Sequence, residues 1–126
     1  MAIAYWCILI AGILPLATVA FAKAQRGYNN NDPRAFLERQ DGMRKRADYA
    51  HRNHFEAFPL FAAAVFTAEL TGGRAELIDT LAVVWVAARI AYTLFYLTDK
   101  AALRSVAFFV AYGCAVAMFV SAPFNL

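Results

Sequence analysis

Asp48-Tyr-Ala-His-Arg-Asn-His-Phe-Glu-Ala-Phe-Pro-Leu-Phe61 carries the chain from a charged segment straight into an apolar one. Asn53 and Glu56 stand at the seam, about one helical turn apart. A carboxylate at the mouth of a membrane span is costly unless something pairs with it. The seam is therefore the first place to look for function.

The apolar side of the seam is one of four such runs. The chain has 126 residues, 62% of them hydrophobic, with mean hydropathy +0.49. Soluble domains carry about 45–50% apolar residues. Residues 2–22 contain no charge, and residues 55–71, 77–98 and 103–124 contain few. A helix needs roughly 20 residues to cross the hydrocarbon core. The pattern predicts an all-α fold, a four-transmembrane-helix bundle forming a single membrane domain over residues 1–126. So small a bundle has little interior, so sites between subunits of an oligomer are expected. Ala20-Phe-Ala22 resembles a signal-cleavage site, but residues 1–7 lack a basic segment and the apolar run is long, so the first run reads as a span. Cys7 and Cys114 fall inside predicted spans, where a thiol is a small hydrophobe.

Basic residues are lopsided. Lys23, Arg26, Arg34, Arg39, Arg44, Lys45, Arg46 and Arg52 precede the second span, and Lys100 and Arg104 lie between the third and fourth. Only Arg74 lies between the second and third. The positive-inside rule places the two basic loops in the cytoplasm and both termini on the non-cytoplasmic side. This asymmetry, with attraction to anionic membrane lipid, accounts for the net charge of +3 without a nucleic-acid partner.

Asp32-Pro33 reads as an N-cap followed by proline at the first helical position. Beyond it only Gly42 weakens the helical pattern before Pro59. The expectation is one long second helix over residues 33–71, its first half extending into the cytoplasm. On a 3.6-residue period Arg46, Tyr49, Asn53 and Glu56 form one stripe, with His51 and His54 on other faces. In the third span Trp85, Arg89, Tyr92 and Tyr96 form another. Counted inward from the outer turn, Arg89 lies about 18 Å deep and Glu56 about 22 Å. Matching depth predicts an Arg89–Glu56 pair.

The bland reading is a bridge that fixes packing, with Tyr96 and Lys100 as interface anchors. The functional reading adds Asn53, Tyr92, Tyr96, Lys100 and Arg104 at the same end. Together these make a polar cup for a small, charged, peptide-like ligand. Arginine would take its carboxylates and Glu56 its ammonium, with apolar surface beside it for a lipid-soluble partner. Metal chemistry finds no support: the two histidines lie at a helix mouth, and no H-E-x-x-H, paired cysteines or phosphate loop occurs.

Asn53-x-x-Glu56-x-x-Pro59-x-Phe61, with the long charged second helix, resembles the MAPEG family, membrane-associated proteins in eicosanoid and glutathione metabolism. Ala50-His-Arg-Asn53 is similar to the same motif in microsomal glutathione transferases. Ala88-Arg-Ile-Ala-Tyr-Thr-Leu-Phe-Tyr96 resembles the family's third-helix Arg-x-x-Tyr-x-x-x-Tyr pattern. The resemblance spans nearly the whole chain and suggests a bacterial-type, inner-membrane member. It implies a homotrimer binding glutathione between neighbouring subunits near the cytoplasmic face. By position Asn53 and Glu56 would bind glutathione as co-substrate, and Arg89, Tyr92 and Tyr96 would line the pocket. Arg104 would be the catalytic arginine that stabilises the glutathione thiolate. A lipophilic electrophile or hydroperoxide would arrive from the bilayer.

The chain departs from the family at three places. Tyr49 stands where glutathione-binding members carry arginine, and Arg46 is the nearest replacement on the stripe. Ala57 stands where the leukotriene-forming branch has tyrosine. The interval from Tyr96 to Arg104 is one residue longer than in that branch. The expected function is a glutathione-dependent transferase or peroxidase. The competing classes are a non-catalytic protein of the same fold, binding another ligand or partner, and a purely structural bundle.

Overall fold

The computed structural model describes residues 1–24, 27–124 and 126. Arg26, counted above among the loop cations, lies outside the described residues. Among the described residues five helices follow one another: α1 (Ile3–Lys23), α2 (Pro33–Glu38), α3 (Gly42–Leu70), α4 (Ala75–Leu97) and α5 (Ala101–Ser121). The fold is all-α, with no strand among the described residues. Three of the helices, α1, α4 and α5, are long and apolar enough to cross a membrane. The first half of α3 is charged, and Glu56 and Glu69 bound its apolar half.

The single helix expected over residues 33–71 is in fact two. Asp32 caps α2 through its carboxylate, 3.4 Å from the Ala35 N–H, and Pro33 opens the helix as expected. The chain then leaves the helical path. Asp41 is extended, and Gly42 begins α3 at φ +59°, where a side chain is strained. The break is held by a contact that reaches across it. Lys45 Nζ donates to the Leu37 and Glu38 carbonyls at 3.2 and 3.1 Å, satisfying the end of α2.

Its two neighbours do the same for other helices. Arg44 donates to the Phe21 and Ala24 carbonyls at the end of α1. Arg46 Nη2 donates to the Leu97 carbonyl at the end of α4, 3.1 Å away. Three consecutive cations thus complete the C-termini of three different helices. Free carbonyls and a negative dipole end make each of those termini a natural cation site.

The opposite end is fastened by an acid. Asp79, an unexplained charge in the third apolar run, accepts from the Ala4 N–H at 2.9 Å. Ala2 offers α1 no side-chain cap, so α4 supplies one.

Between these ends α1 packs on α3 and α4, and α5 packs on α3 and α4, with α1 and α5 at opposite corners. The core is rich in small residues, among them Ala4, Ala11, Ala64, Ala68, Ala82, Ala111 and Ala115. Small residues let backbones approach closely where apolar driving force between helices is weak. Phe61 and Trp85 fill the middle as a near-parallel stack, centroids 3.9 Å apart. Cys7 and Cys114 are buried and free.

Asp79→Ala should lower the stability of the detergent-solubilised protein by about 1 kcal/mol, the usual worth of a helix N-cap. Asp79→Asn, which keeps an acceptor, should lose only a fraction of that. Comparing the two by thermal or denaturant unfolding tests the cap.

Candidate functional site

Glycine at 42 and the cation clasp at 44–46 set the rotation of α3 about its axis. Counting forward from that turn, the buried positions are Ala47, Asp48, Ala50, His54, Phe61, Ala64, Val65 and Ala68. His54 therefore sits on the stripe that faces the core, and Asn53 and Glu56 sit beside it. On α4 the buried positions include Trp85, Arg89 and Tyr92. The two stripes meet at Arg89.

Arg89 is 1% exposed. Its Nη2 donates to Asn53 Oδ1 at 2.9 Å and lies 2.9 Å from His54 Nδ1. Its Nε donates to the same Nδ1 at 3.2 Å. The Tyr92 ring lies beneath the guanidinium, 4.2 Å from ring centroid to Cζ, a cation–π contact. His54 Nε2 lies 2.7 Å from Thr93 Oγ1.

The expected Arg89–Glu56 pair does not form. Among the described residues every ion pair involves Asp48, and Glu56 is exposed at the rim. The depths match, but Glu56 is rotated away from the stripe that meets α4. Asn53 and His54 take the guanidinium instead.

Beside Arg89 opens a groove of about 210 Å³. Asn53, Glu56, Ala57 and Leu60 form one wall, Trp85 and Arg89 the second, and Phe108, Ala111, Tyr112 and Ala115 the third. One end is polar and the remainder is aromatic and aliphatic. The structure thus brings Asn53, Glu56 and Arg89 together on one surface. It does not bring the other sequence candidates there. Tyr92 is buried behind Arg89 and stacks edge-on against Tyr96, centroids 5.6 Å apart. Arg104 lies over the Tyr96 ring, 4.4 Å from its centroid. Arg46 is turned to the end of α4, and Lys100 is exposed. Tyr49 faces Tyr96 at 6.5 Å between centroids.

A second groove of about 520 Å³ shares Glu56 as a wall and is lined by Arg34, Leu37, Glu38, Asp48, His51, Arg52 and Phe55. Asp48 is fully buried at its base. Arg52 Nη2 lies 3.1 Å from Asp48 Oδ2, Lys45 Nζ lies 3.8 Å from it, and His51 Nδ1 lies 3.3 Å from Oδ1. No group of His, Cys, Asp and Glu among the described residues is arranged to hold a metal ion.

His54, Thr93 and Tyr112 belong to the site's surroundings and were not singled out by sequence. His54 had a signal: it lies in register with Ala47, Ala50 and Phe61. Thr93 lies four residues after Arg89 on one helix face. Tyr112 had none, because nothing in the sequence aligns α5 with the other two walls.

A family model described as the MAPEG family matches residues 3–124. No curated protein and no solved structure matches the chain.

His51 yields a pH prediction. Burial lowers its pKa from the ordinary 6.5, and the Asp48 carboxylate only partly opposes that. The folded state therefore resists a proton that the unfolded chain accepts. Stability should hold above pH 6.5 and fall as pH drops below it. His51→Gln should flatten that slope in unfolding midpoints measured against pH.

Proposed function

Starting from the chain's membership of the MAPEG family, to which it belongs over residues 3–124, we propose that it is an integral membrane, glutathione-dependent transferase or peroxidase for lipophilic electrophiles or hydroperoxides. In this reading the apolar half of α3 joins α1, α4 and α5 as a fourth span. The protein works as a homotrimer in a bacterial inner membrane, with both termini on the non-cytoplasmic side and the start of α3 in the cytoplasm.

The observation that carries the reading is Arg89. A guanidinium that is 1% exposed, with no carboxylate among the described residues at ion-pairing distance, borders a groove whose rim carries Glu56. Burying a cation without a counter-ion costs several kcal/mol. An anionic ligand removes that cost. A zwitterionic peptide fits both charges, with a carboxylate at Arg89 and the ammonium at Glu56. Asn53 presents an amide between them. The aromatic wall of Trp85, Phe108 and Tyr112 suits an apolar second substrate arriving from the bilayer.

Glutathione supplies the nucleophile. Its thiolate attacks an electrophilic carbon and displaces the leaving group, or attacks the terminal oxygen of a hydroperoxide, breaking the O–O bond to release the alcohol and leaving a sulfenic acid that a second glutathione converts to the disulfide and water. Arg104 holds the thiolate, from its place over Tyr96 near the end of α4. This placement assigns the peptide backbone and the sulfur to different regions, which accords with a ligand shared between neighbouring subunits.

A second reading has its own support. Tyr49 and Ala57 replace two side chains expected at a glutathione site, and Arg104 does not line the groove. These features favour a non-catalytic member that binds another small anion or a partner.

One experiment separates the two. Glutathione is titrated at millimolar concentration into the solubilised protein, with calorimetry and the thiolate absorbance band as readouts. The catalytic reading expects binding and a band, and the absence of both overturns it. Arg89→Leu should weaken binding about ten- to hundredfold, the worth of a hydrogen bond to a charged group. Arg104→Ala should leave binding closer to wild type, abolish the band and lower kcat about a hundredfold, as loss of one charge-stabilising donor does elsewhere. A band that survives Arg104→Ala shows that another residue holds the thiolate.

A further inference from the structure

The contacts around Arg89 fix more than its position. A guanidinium can only donate hydrogen bonds. His54 Nδ1 receives Nε at 3.2 Å and faces Nη2 at 2.9 Å, so it must present a lone pair. An imidazolium has none, because both of its nitrogens carry hydrogen. The ring is therefore neutral, with its proton on Nε2. That proton points to Thr93 Oγ1, 2.7 Å away. The hydroxyl uses its own hydrogen to donate to the Arg89 carbonyl at 2.9 Å, which leaves its oxygen free to accept. Each direction is forced, and the chain closes on the residue where it began: Arg89 side chain, His54, Thr93, Arg89 carbonyl. His54 is 1% exposed, with the Tyr92 ring edge-on at 5.9 Å.

We propose that His54 is the positioning residue of the groove, a neutral imidazole that aims the Arg89 guanidinium, with Thr93 accepting the Nε2 proton and holding the ring in that orientation. The proposal rests on the reading of Arg89 as the ligand's anion holder. It also specifies how the anion is held. One hydrogen of Nη2 serves Asn53 and the other His54, and Nε serves His54. Among the described residues Nη1 has no hydrogen-bond partner. The anion is therefore met end-on by Nη1 and not by a two-nitrogen fork, which favours a single carboxylate oxygen over a bidentate grip. Without His54 the guanidinium loses its second support and swings about Cδ, and the geometry at Nη1 is lost.

The chain has two histidines, so ring spectra are simple to assign. The ¹⁵N-histidine-labelled protein in detergent at neutral pH should show an unprotonated Nδ1 and a protonated Nε2 for the ring that disappears in His54→Asn. A protonated Nδ1 or an imidazolium overturns the proposal. Thr93→Val, close to isosteric, should leave the Nε2 proton without its acceptor, shift the Nε2 resonance and weaken glutathione binding about three- to tenfold. Thr93→Ser, which keeps the hydroxyl, should restore both. A purely space-filling threonine would be rescued by valine and not by serine. His54→Leu should weaken binding tenfold or more, while His54→Asn, with an acceptor near the place of Nδ1, should stay within about threefold of wild type. Wild-type binding in a folded His54→Leu overturns the proposal, and if that variant does not fold, the Thr93 pair decides. If wild type binds no glutathione, the substrate reading falls. The tautomer and the shift of its Nε2 resonance in Thr93→Val then decide the positioning role by themselves.

Discussion

The solvation of one buried cation organises the middle of this fold. Arg89 stands among alanines, aromatics and aliphatic side chains, where an unsolvated charge is costly. Three neutral groups share the task that water performs outside: the Asn53 amide, the His54 imidazole and the face of Tyr92. Two of them come from α3, so the requirement to solvate Arg89 also fixes how α3 and α4 slide and rotate against each other. The Phe61–Trp85 stack repeats that register two turns along α3 from His54. Polar and apolar contacts thus agree on a single alignment, as a well-specified core requires.

Much of the helical layout was legible because apolar runs and their charged boundaries leave strong marks. The break between α2 and α3 was not. Gly42 was visible, but a glycine within a helical pattern is often tolerated, and what decides here is Lys45 reaching back to α2. That contact depends on the folded path and has no local signature. The Asp32-Pro33 helix start was legible because its capping chemistry lies within four residues.

The site divides along the same line. Asn53, Glu56 and Arg89 share a groove, and helical periodicity was enough to suggest their proximity. Pairing by depth failed for Glu56 because depth fixes height along an axis and leaves the angle around it open. The angle was encoded in the alanines at 47, 50, 64 and 68, which mark the inward face and place His54 on it. Small residues carry little weight in a search for chemistry, yet in a membrane bundle they are the better guide to which face is inside. Glu56, left at the rim, instead joins two grooves of different character, one apolar and aromatic, one flanked by Arg34, His51 and Arg52.

The cation clasp at 44–46 and the grip on Arg89 at 53–54 lie on one unbroken helix, about two turns apart. The stretch between them acts as a ruler. One inserted or deleted residue there would rotate the grip by about 100° relative to the clasp, so three helix ends and the buried guanidinium could not all be satisfied at once. A segment that reads as a solvated, charged surface, where changes of length are normally harmless, is thereby held to a fixed count of residues. Natural variation in length should collect before residue 41 and avoid this interval.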